Sequence, residues 1–167
     1  MAWIAGGTRA GFSVTSAIPP VFPAYATLHW DESVPIDTHE RAVIDTLTRH
    51  PQAQPWWLGY LETGAHDVVF SQAPRVPLYA GWPYVLVEAG PAQALTWRRG
   101  HMRGDGALPD LFFPQDRSWL ASALWDDTWT CVGGPENLID ALRREPLLNA
   151  RRVTPDEDAL PPGLTRE

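Results

Sequence analysis

Two absences limit the chemistry of this chain: it contains no lysine and only one cysteine in 167 residues. With Cys131 alone, an internal disulfide and a cysteine-based zinc cage are both excluded, and a reducing compartment is favoured. A single thiol beside Val132 is typical of a small buried core residue. All 13 basic residues are arginine, which is the pattern of a GC-rich genome that favours arginine codons.

Long hydrophobic runs are also missing. No apolar stretch approaches the ~20 residues that span a bilayer, and the first residues carry neither the basic flank nor the apolar run of a signal peptide. The net charge of −7 argues against a nucleic-acid partner, because phosphate binding requires a basic surface. We therefore expect a cytoplasmic protein without a membrane or nucleic-acid partner. The acidic charge permits a basic protein partner, and the oligomeric state stays open.

Tryptophan, by contrast, is abundant. The chain has 9 tryptophans, although its share of apolar residues (44%) and of charged residues (20%) is ordinary for a globular protein. Each indole must fill core volume or lie on a surface built for contact. The surplus therefore favours a contact surface.

The alternation of apolar runs and turn residues predicts an α+β domain with a mainly antiparallel sheet of about five or six strands and two main helices. We expect a loose lead-in over 1–16, the domain over 17–153 and an acidic, proline-bearing tail over 154–167. The clearest strands are predicted at 24–30, 56–62 and 84–88, and the helices at 38–50 and after Pro135. Asp37 and Glu40 fit the N-cap and the third position of a capping box at the start of the first helix.

The best-defined unit is a hairpin between Ser118 and Gly133, in which two apolar runs flank the connection Asp126-Asp127. Alternation along the strands separates the side chains into two faces. One face carries Leu120, Leu124, Trp129 and Cys131, and the other carries Trp119, Ala121, Ala123, Trp125 and Val132. Both faces are apolar, so each needs a cover. The following helix is expected to cover one face, and the sequence does not indicate which segment covers the other.

Candidate catalytic and metal-binding residues are sparse. Glu62, His66 and Asp67 follow a predicted strand, and a carboxylate beside an imidazole suits general acid–base catalysis or metal binding. A turn at this point explains the same polar residues. Two other groups, at 29–32 and at His39-Glu40, lack the H-E-x-x-H spacing that puts two imidazoles on one helix face. We predict no metal site and no cofactor.

Charged residues near the hairpin have two interpretations. Asp116 and Arg117 pair with a ligand or pin a loop through charge-assisted hydrogen bonds. The locally basic segment at 98–109 either grips an acidic group or forms a solvated loop. In both cases the structural interpretation is favoured.

The run Leu111-Phe-Phe-Pro-Gln-Asp-Arg-Ser-Trp119 is followed by Trp129-Thr-Cys-Val-Gly-Gly134 and an apolar helix. This arrangement resembles a family of uncharacterised proteins from high-GC actinobacteria that carry a similar "W-P-x-D-R-x-W … V-G-G-S" run. The segment Ile18–Tyr25 resembles the opening strand of the same family. The likeness rests on short motifs over roughly 20–150 and implies no catalytic residue. In general layout, an acidic α+β domain with a tryptophan-bearing sheet and a closing helix also resembles the SMI1/KNR4-type immunity proteins.

These features together favour a protein-binding module of immunity or antitoxin type that occludes a basic partner. Aromatic side chains in a desolvated patch are the usual anchors of protein interfaces. The predicted contact residues are Trp119, Trp125, Asp126 and Asp127, with Asp116 and Arg117 beside them. A hydrolase-like enzyme using Glu62, His66 and Asp67, and a small-ligand-binding protein with an aromatic-lined pocket, are the alternatives.

Overall fold

A computed structural model describes residues 1–11, 13–50, 55–63, 70, 72–98, 106–124 and 129–160. The helices in this part of the chain are α1 (Ala2–Ala5), α2 (Ile36–Thr48), α3 (Pro91–Ala94) and α4 (Glu136–Arg144). The strands are β1 (Ala24–His29), β2 (Trp56–Leu61), β3 (Arg75–Leu78), β4 (Trp82–Ala89), β5 (Leu111–Pro114), β6 (Leu120–Ser122), β7 (Trp129–Gly134) and β8 (Arg151–Val153). Short 3₁₀ turns occur at Val14–Ser16 and Pro146–Leu148. None of the described helices is long and apolar enough to cross a membrane.

All eight strands form one sheet in the order β3-β4-β2-β5-β6-β7-β1-β8, and each neighbouring pair is antiparallel. The α+β class and the antiparallel sheet are confirmed, but the expected five or six strands are too few. The strands that the pattern did not indicate are short: β5 has 4 residues and β8 has 3. Such short runs show no periodicity of their own, and the hydrogen bonds of the neighbouring strands define them. The edge position of β3 agrees with Pro77, which has no amide hydrogen to donate.

The two longer helices cover one face of the sheet. The expected apolar stripes of α2 (Val43, Ile44 and Leu47) and α4 (Leu138, Ile139 and Leu142) are buried. They pack on Trp56, Leu58, Phe112 and Trp119 from the central strands. Trp119 lies edge-on to Trp56, with ring centroids 4.9 Å apart. This layer is the larger part of the core.

The start of α2 differs from the predicted capping box. The helix begins after Pro35, and no side chain caps its first turn. The Glu40 carboxylate is 6% exposed and accepts a hydrogen bond from the Leu108 backbone N–H at 3.0 Å. Glu40 therefore ties α2 to the segment that leads into β5 and leaves the helix terminus uncapped.

The opposite face of the sheet is covered by the ends of the chain. Ile4 and Val14 have no exposed surface and pack with Tyr25, Phe113 and Leu120. Ile4 and Val14 thus contribute to the core, although residues 1–16 were expected to form a loose lead-in. The chain ends also contact each other, because the Val14 N–H donates to the Glu157 carbonyl at 3.0 Å. The predicted tail is docked as far as residue 160, and residues 161–167 lie outside the described part.

The two faces assigned to the hairpin are confirmed for seven of its residues, and Trp125 lies outside the described part of the chain. Leu120, Leu124, Trp129 and Cys131 belong to the layer under the N-terminal segment, whereas Trp119, Ala121 and Val132 belong to the layer under the helices. The pairing of Ser122 with Cys131 sets this register. The face whose cover the sequence left open is thus covered by the protein's own first residues.

We expect Ile4→Ala to lower the free energy of unfolding by about 2–4 kcal/mol, because it removes buried methyl groups and leaves a cavity. Ala2→Ser, at an exposed position of the same helix, should change it by about 0.5 kcal/mol or less. Urea denaturation of both variants gives the two values. Equal stabilities of the two variants would mean that the N-terminal segment does not belong to the core.

Candidate functional site

The candidate site lies at one end of the sheet, which we call the loop end. There β1, β2, β3 and β6 stop, and β4, β5, β7 and β8 begin. Connections at the end of a rigid sheet are the usual place for binding and catalytic groups. Of the residues predicted after β2, Glu62 lies at this end, whereas His66, Asp67 and residues 125–128 lie outside the described part of the chain.

An ion pair lies at the centre of the loop end. Asp110, just before β5, forms a salt bridge with Arg98, and each side chain is less than a fifth exposed. The same carboxylate accepts a hydrogen bond from the Leu61 N–H at 2.6 Å, and the Asp110 carbonyl accepts one from the Ala123 N–H at 2.7 Å. Asp110 thus joins the ends of β2 and β6. Arg98, the first residue of the basic segment, therefore pairs with an acidic group of the protein itself.

Two tyrosines flank this ion pair on opposite faces of the sheet. The Arg98 guanidinium lies over the Tyr60 ring, 5.4 Å from its centroid. Neither the Tyr60 nor the Tyr84 hydroxyl has a hydrogen-bond partner among the described residues. Burial raises the pKa of both phenols well above the usual value. Both rings therefore stay neutral at physiological pH and do not act as bases.

Unpaired negative charge collects at the end of β1. His29 pairs with Trp129, and the chain then continues into exposed Asp31 and Glu32. The Asp31 carboxylate accepts a hydrogen bond from the Ser33 N–H at 2.9 Å, and this bond lowers the pKa of Asp31. Both carboxylates are exposed to solvent. The Trp30 indole N–H donates to the Val34 carbonyl at 2.8 Å and fixes the start of this turn.

The structure separates the predicted contact residues. Trp119 is 1% exposed and packed between Trp56 and Phe112, so its assignment as a contact residue is wrong. It begins the hairpin on the face that the helices cover, where an indole fills core volume. The other predicted contact residues of the hairpin, Trp125, Asp126 and Asp127, lie outside the described residues.

Asp116 and Arg117 lie at the opposite end of the sheet, in the turn between β5 and β6. Asp116 accepts a hydrogen bond from the Ser118 N–H at 3.0 Å. The Arg117 backbone has φ of 57°, and its guanidinium lies over the Trp3 ring at 5.6 Å. These contacts hold a turn against the N-terminal segment. Asp126 and Asp127, predicted in the same site, lie outside the described residues, so the grouping of the four residues stays a prediction.

The alternative acid–base cluster is described only at Glu62. Its carboxylate forms a salt bridge with Arg75 at 2.5 Å, across the edge of the sheet. His66 and Asp67 lie outside the described residues. The structure thus gives Glu62 a structural partner, and the catalytic interpretation of the three residues stays a prediction.

His39 and Glu40, the adjacent pair considered as metal ligands, are both buried in α2. The His39 Nδ1 atom is 2.8 Å from the Leu147 carbonyl, which fits an Nδ1–H donor. Burial lowers the pKa of His39, against the opposing effects of this hydrogen bond and of Glu40. Within the described ranges, no group of three His, Cys, Asp or Glu residues is arranged to hold a metal ion.

Comparison with protein-family models, with curated proteins and with solved structures found no match for this chain. The site must therefore be interpreted from its own geometry. The sequence did not single out Asp110, because one aspartate before a short strand has no distinctive pattern. Pairing between distant residues, such as Asp110 with Arg98 and Leu61, becomes visible only in the fold.

We expect Asp110→Ala to destabilise the protein by about 2–3 kcal/mol, somewhat less than the loss of one partner from a fully buried pair. The substitution removes the carboxylate from Arg98 and an acceptor from the Leu61 N–H. Asp140→Ala is the matched control, because it breaks exposed ion pairs with Arg143 and Arg144 of α4 and with Arg152 of β8, each worth about 0–1 kcal/mol. Thermal or urea unfolding measures both. An effect of Asp110→Ala as small as that of the control would contradict the central position of Asp110.

The buried His39 predicts a loss of stability in acid. Its pKa is lower in the folded than in the unfolded chain, so the unfolded state binds more protons as the pH falls below about 6.5. Stability from this residue is present at pH 7.5 and declines through pH 5.5. His39→Asn keeps a donor near Leu147 but does not titrate, and should lose less stability between these pH values than the wild type. Burial also lowers the pKa of His50, but this residue is less buried, so His50→Asn should change the pH dependence less than His39→Asn does. An unchanged pH dependence in His39→Asn would refute the assignment.

Proposed function

We propose that the chain is a non-catalytic binding module of immunity or antitoxin type, which occludes a basic protein partner through the carboxylates of the loop end. The observation that carries the proposal is the pairing of β1 with β7. His29 opposite Trp129 places exposed Asp31 and Glu32, which follow β1, near the start of β7, and Asp126 and Asp127 come shortly before β7 in the sequence. The register supports a contact surface that is acidic and tryptophan-bearing.

Asp31 and Glu32 give the proposed surface its charge. They are adjacent in the chain, and both are exposed just after β1. A cationic partner would relieve the repulsion between these two carboxylates, and the same acidic surface would speed its association and disfavour acidic competitors.

Two indoles near the end of β1 and the start of β7 fit the proposal better than Trp119, which was predicted from the sequence. Trp30 and Trp129 are half-buried, so each has a fixed body and an accessible side, unlike Trp119. Rigid aromatic side chains beside unpaired charges are typical of interface anchors. The SMI1/KNR4-type likeness and a cytoplasmic location, suggested by the lone cysteine, belong to the same proposal.

The test is co-expression with the products of the genes adjacent to this one, taken one at a time. We expect one basic product to slow growth when expressed alone, and to form a stable complex with this chain that restores growth. Asp31→Asn combined with Glu32→Gln should weaken that complex about 10- to 100-fold at physiological salt, because two unpaired charges are lost. Calorimetry on the purified pair measures the change.

A matched control is Asp37→Asn combined with Asp45→Asn, which removes two exposed carboxylates from α2. This double variant should bind like the wild type. The proposal fails if no adjacent product binds, or if both double variants bind with equal affinity. Raising the salt concentration should weaken the wild-type complex more than the Asp31/Glu32 variant complex.

A further inference from the structure

A cavity of about 460 Å³ opens between the N-terminal segment and the turn that joins β3 to β4. Its volume lies in the range of about 300–1,000 Å³ that is typical of small-molecule sites. Small residues at the start of the chain, including Ala5 and Gly11, form one wall, and Tyr79, Trp82 and Leu124 line the rest. Nothing in the acidic surface proposed above requires such a cavity.

The polar groups of this cavity are unequally available to a ligand. The Thr8 hydroxyl donates to the Ile4 carbonyl at 3.0 Å, and the Ser16 hydroxyl donates to the Ser13 carbonyl at 2.8 Å. The buried Tyr79 hydroxyl donates a hydrogen bond to the Ala17 carbonyl at 3.1 Å and also lies 2.9 Å from the Ser122 hydroxyl oxygen. The Thr8 and Ser16 hydroxyl groups therefore can only accept hydrogen bonds from a ligand, and the Tyr79 hydroxyl is engaged within the protein.

Arg9 is the one charged residue among those that line the cavity. Its guanidinium has no ion-pair partner within the described part of the chain, whereas most of the other described arginines do. A guanidinium without an ion-pair partner among the described residues attracts an anion to this part of the cavity, although the chain as a whole has a net charge of −7.

The aromatic wall narrows the class of ligand. Trp82 is 38% exposed, one of only two large apolar side chains so exposed among the described residues. The turn beside it has positive φ at Tyr79 (43°) and Ala80 (67°), a backbone conformation that residues with side chains rarely adopt. This turn, whose backbone is strained, places the rings of Tyr79 and Trp82 at the wall of the cavity. Flat, polarisable walls favour a planar ring.

We propose that this cavity binds a small planar aromatic anion, such as an arenecarboxylate or arenesulfonate. Its ring would contact Tyr79 and Trp82, and its anionic group would pair with Arg9. The proposal is independent of the partner surface, because Asp31 and Glu32 do not line the cavity.

Two fluorescent probes of similar shape test the proposal. The anion 8-anilinonaphthalene-1-sulfonate should bind in a saturable one-to-one complex, at least about 10-fold tighter than the neutral N-phenyl-1-naphthylamine. Arg9→Gln removes the charge and should weaken binding of the anion about 10-fold without changing that of the neutral probe. Because Arg9 is exposed, this variant should unfold at the wild-type urea concentration.

Two further variants separate the cavity from general surface binding. Ala5→Phe fills the cavity and should abolish binding of both probes. Val21→Ser removes the most exposed apolar side chain, which does not line the cavity, and should change nothing. If Ala5→Phe fails to fold, Arg9→Gln decides alone.

Equal binding of the anion to Arg9→Gln and to wild type would overturn the proposal, as would loss of binding in Val21→Ser. The combined Asp31→Asn and Glu32→Gln variant should bind the anionic probe no more weakly than wild type. The failure of one proposal is therefore distinguishable from the failure of the other.

Discussion

The fold depends on one constraint: a sheet that is apolar on both faces must be covered twice. The helices cover the first face, with Leu138 and Leu142 of α4 against the central strands. The second face is covered by segments from the two ends of the chain, through Ile4, Val14 and Ala159. Each cover buries apolar surface of the sheet, and this burial stabilises the fold by ~25 cal/mol per Å². The chain ends are therefore structural parts of the protein.

This second cover changes the meaning of the tryptophan surplus. Abundance alone suggested indoles left over for contact, but Trp56 and Trp119 have 0% and 1% exposed surface. Two covered faces provide more interior than a sheet with one covered face, so more indoles can be accommodated. Composition does not separate the two uses of an aromatic ring. Trp82 is accessible and Trp119 is not, and this difference becomes visible only when the position of each core layer in the fold is known.

Long elements with a strong pattern were predictable, and so was the division of the hairpin into faces. The stripes of α2 and α4 and the alternation around Cys131 follow from local periodicity. Short strands such as β8, the contact between Val14 and Glu157, and the Asp110–Arg98 pair were not predictable, because each depends on residues far apart in sequence. The capping box at Asp37 failed for a similar reason. A tertiary hydrogen bond to Leu108 uses the Glu40 side chain that the local motif would have used.

The Gly-Gly pair that ends β7 has a packing explanation. A Cβ atom at Gly133 would come within 2.4 Å of Phe22, and one at Gly134 within 3.0 Å of the Trp119 Cβ atom. The Gly-Gly pair thus allows the N-terminal layer and the tryptophan layer to approach β7 from opposite sides. Residues that must be small to hold two layers together say little about a partner. The residues on which the two proposals rest, Asp31, Glu32 and Arg9, lie on connections, where packing imposes few constraints and a side chain is free to serve binding.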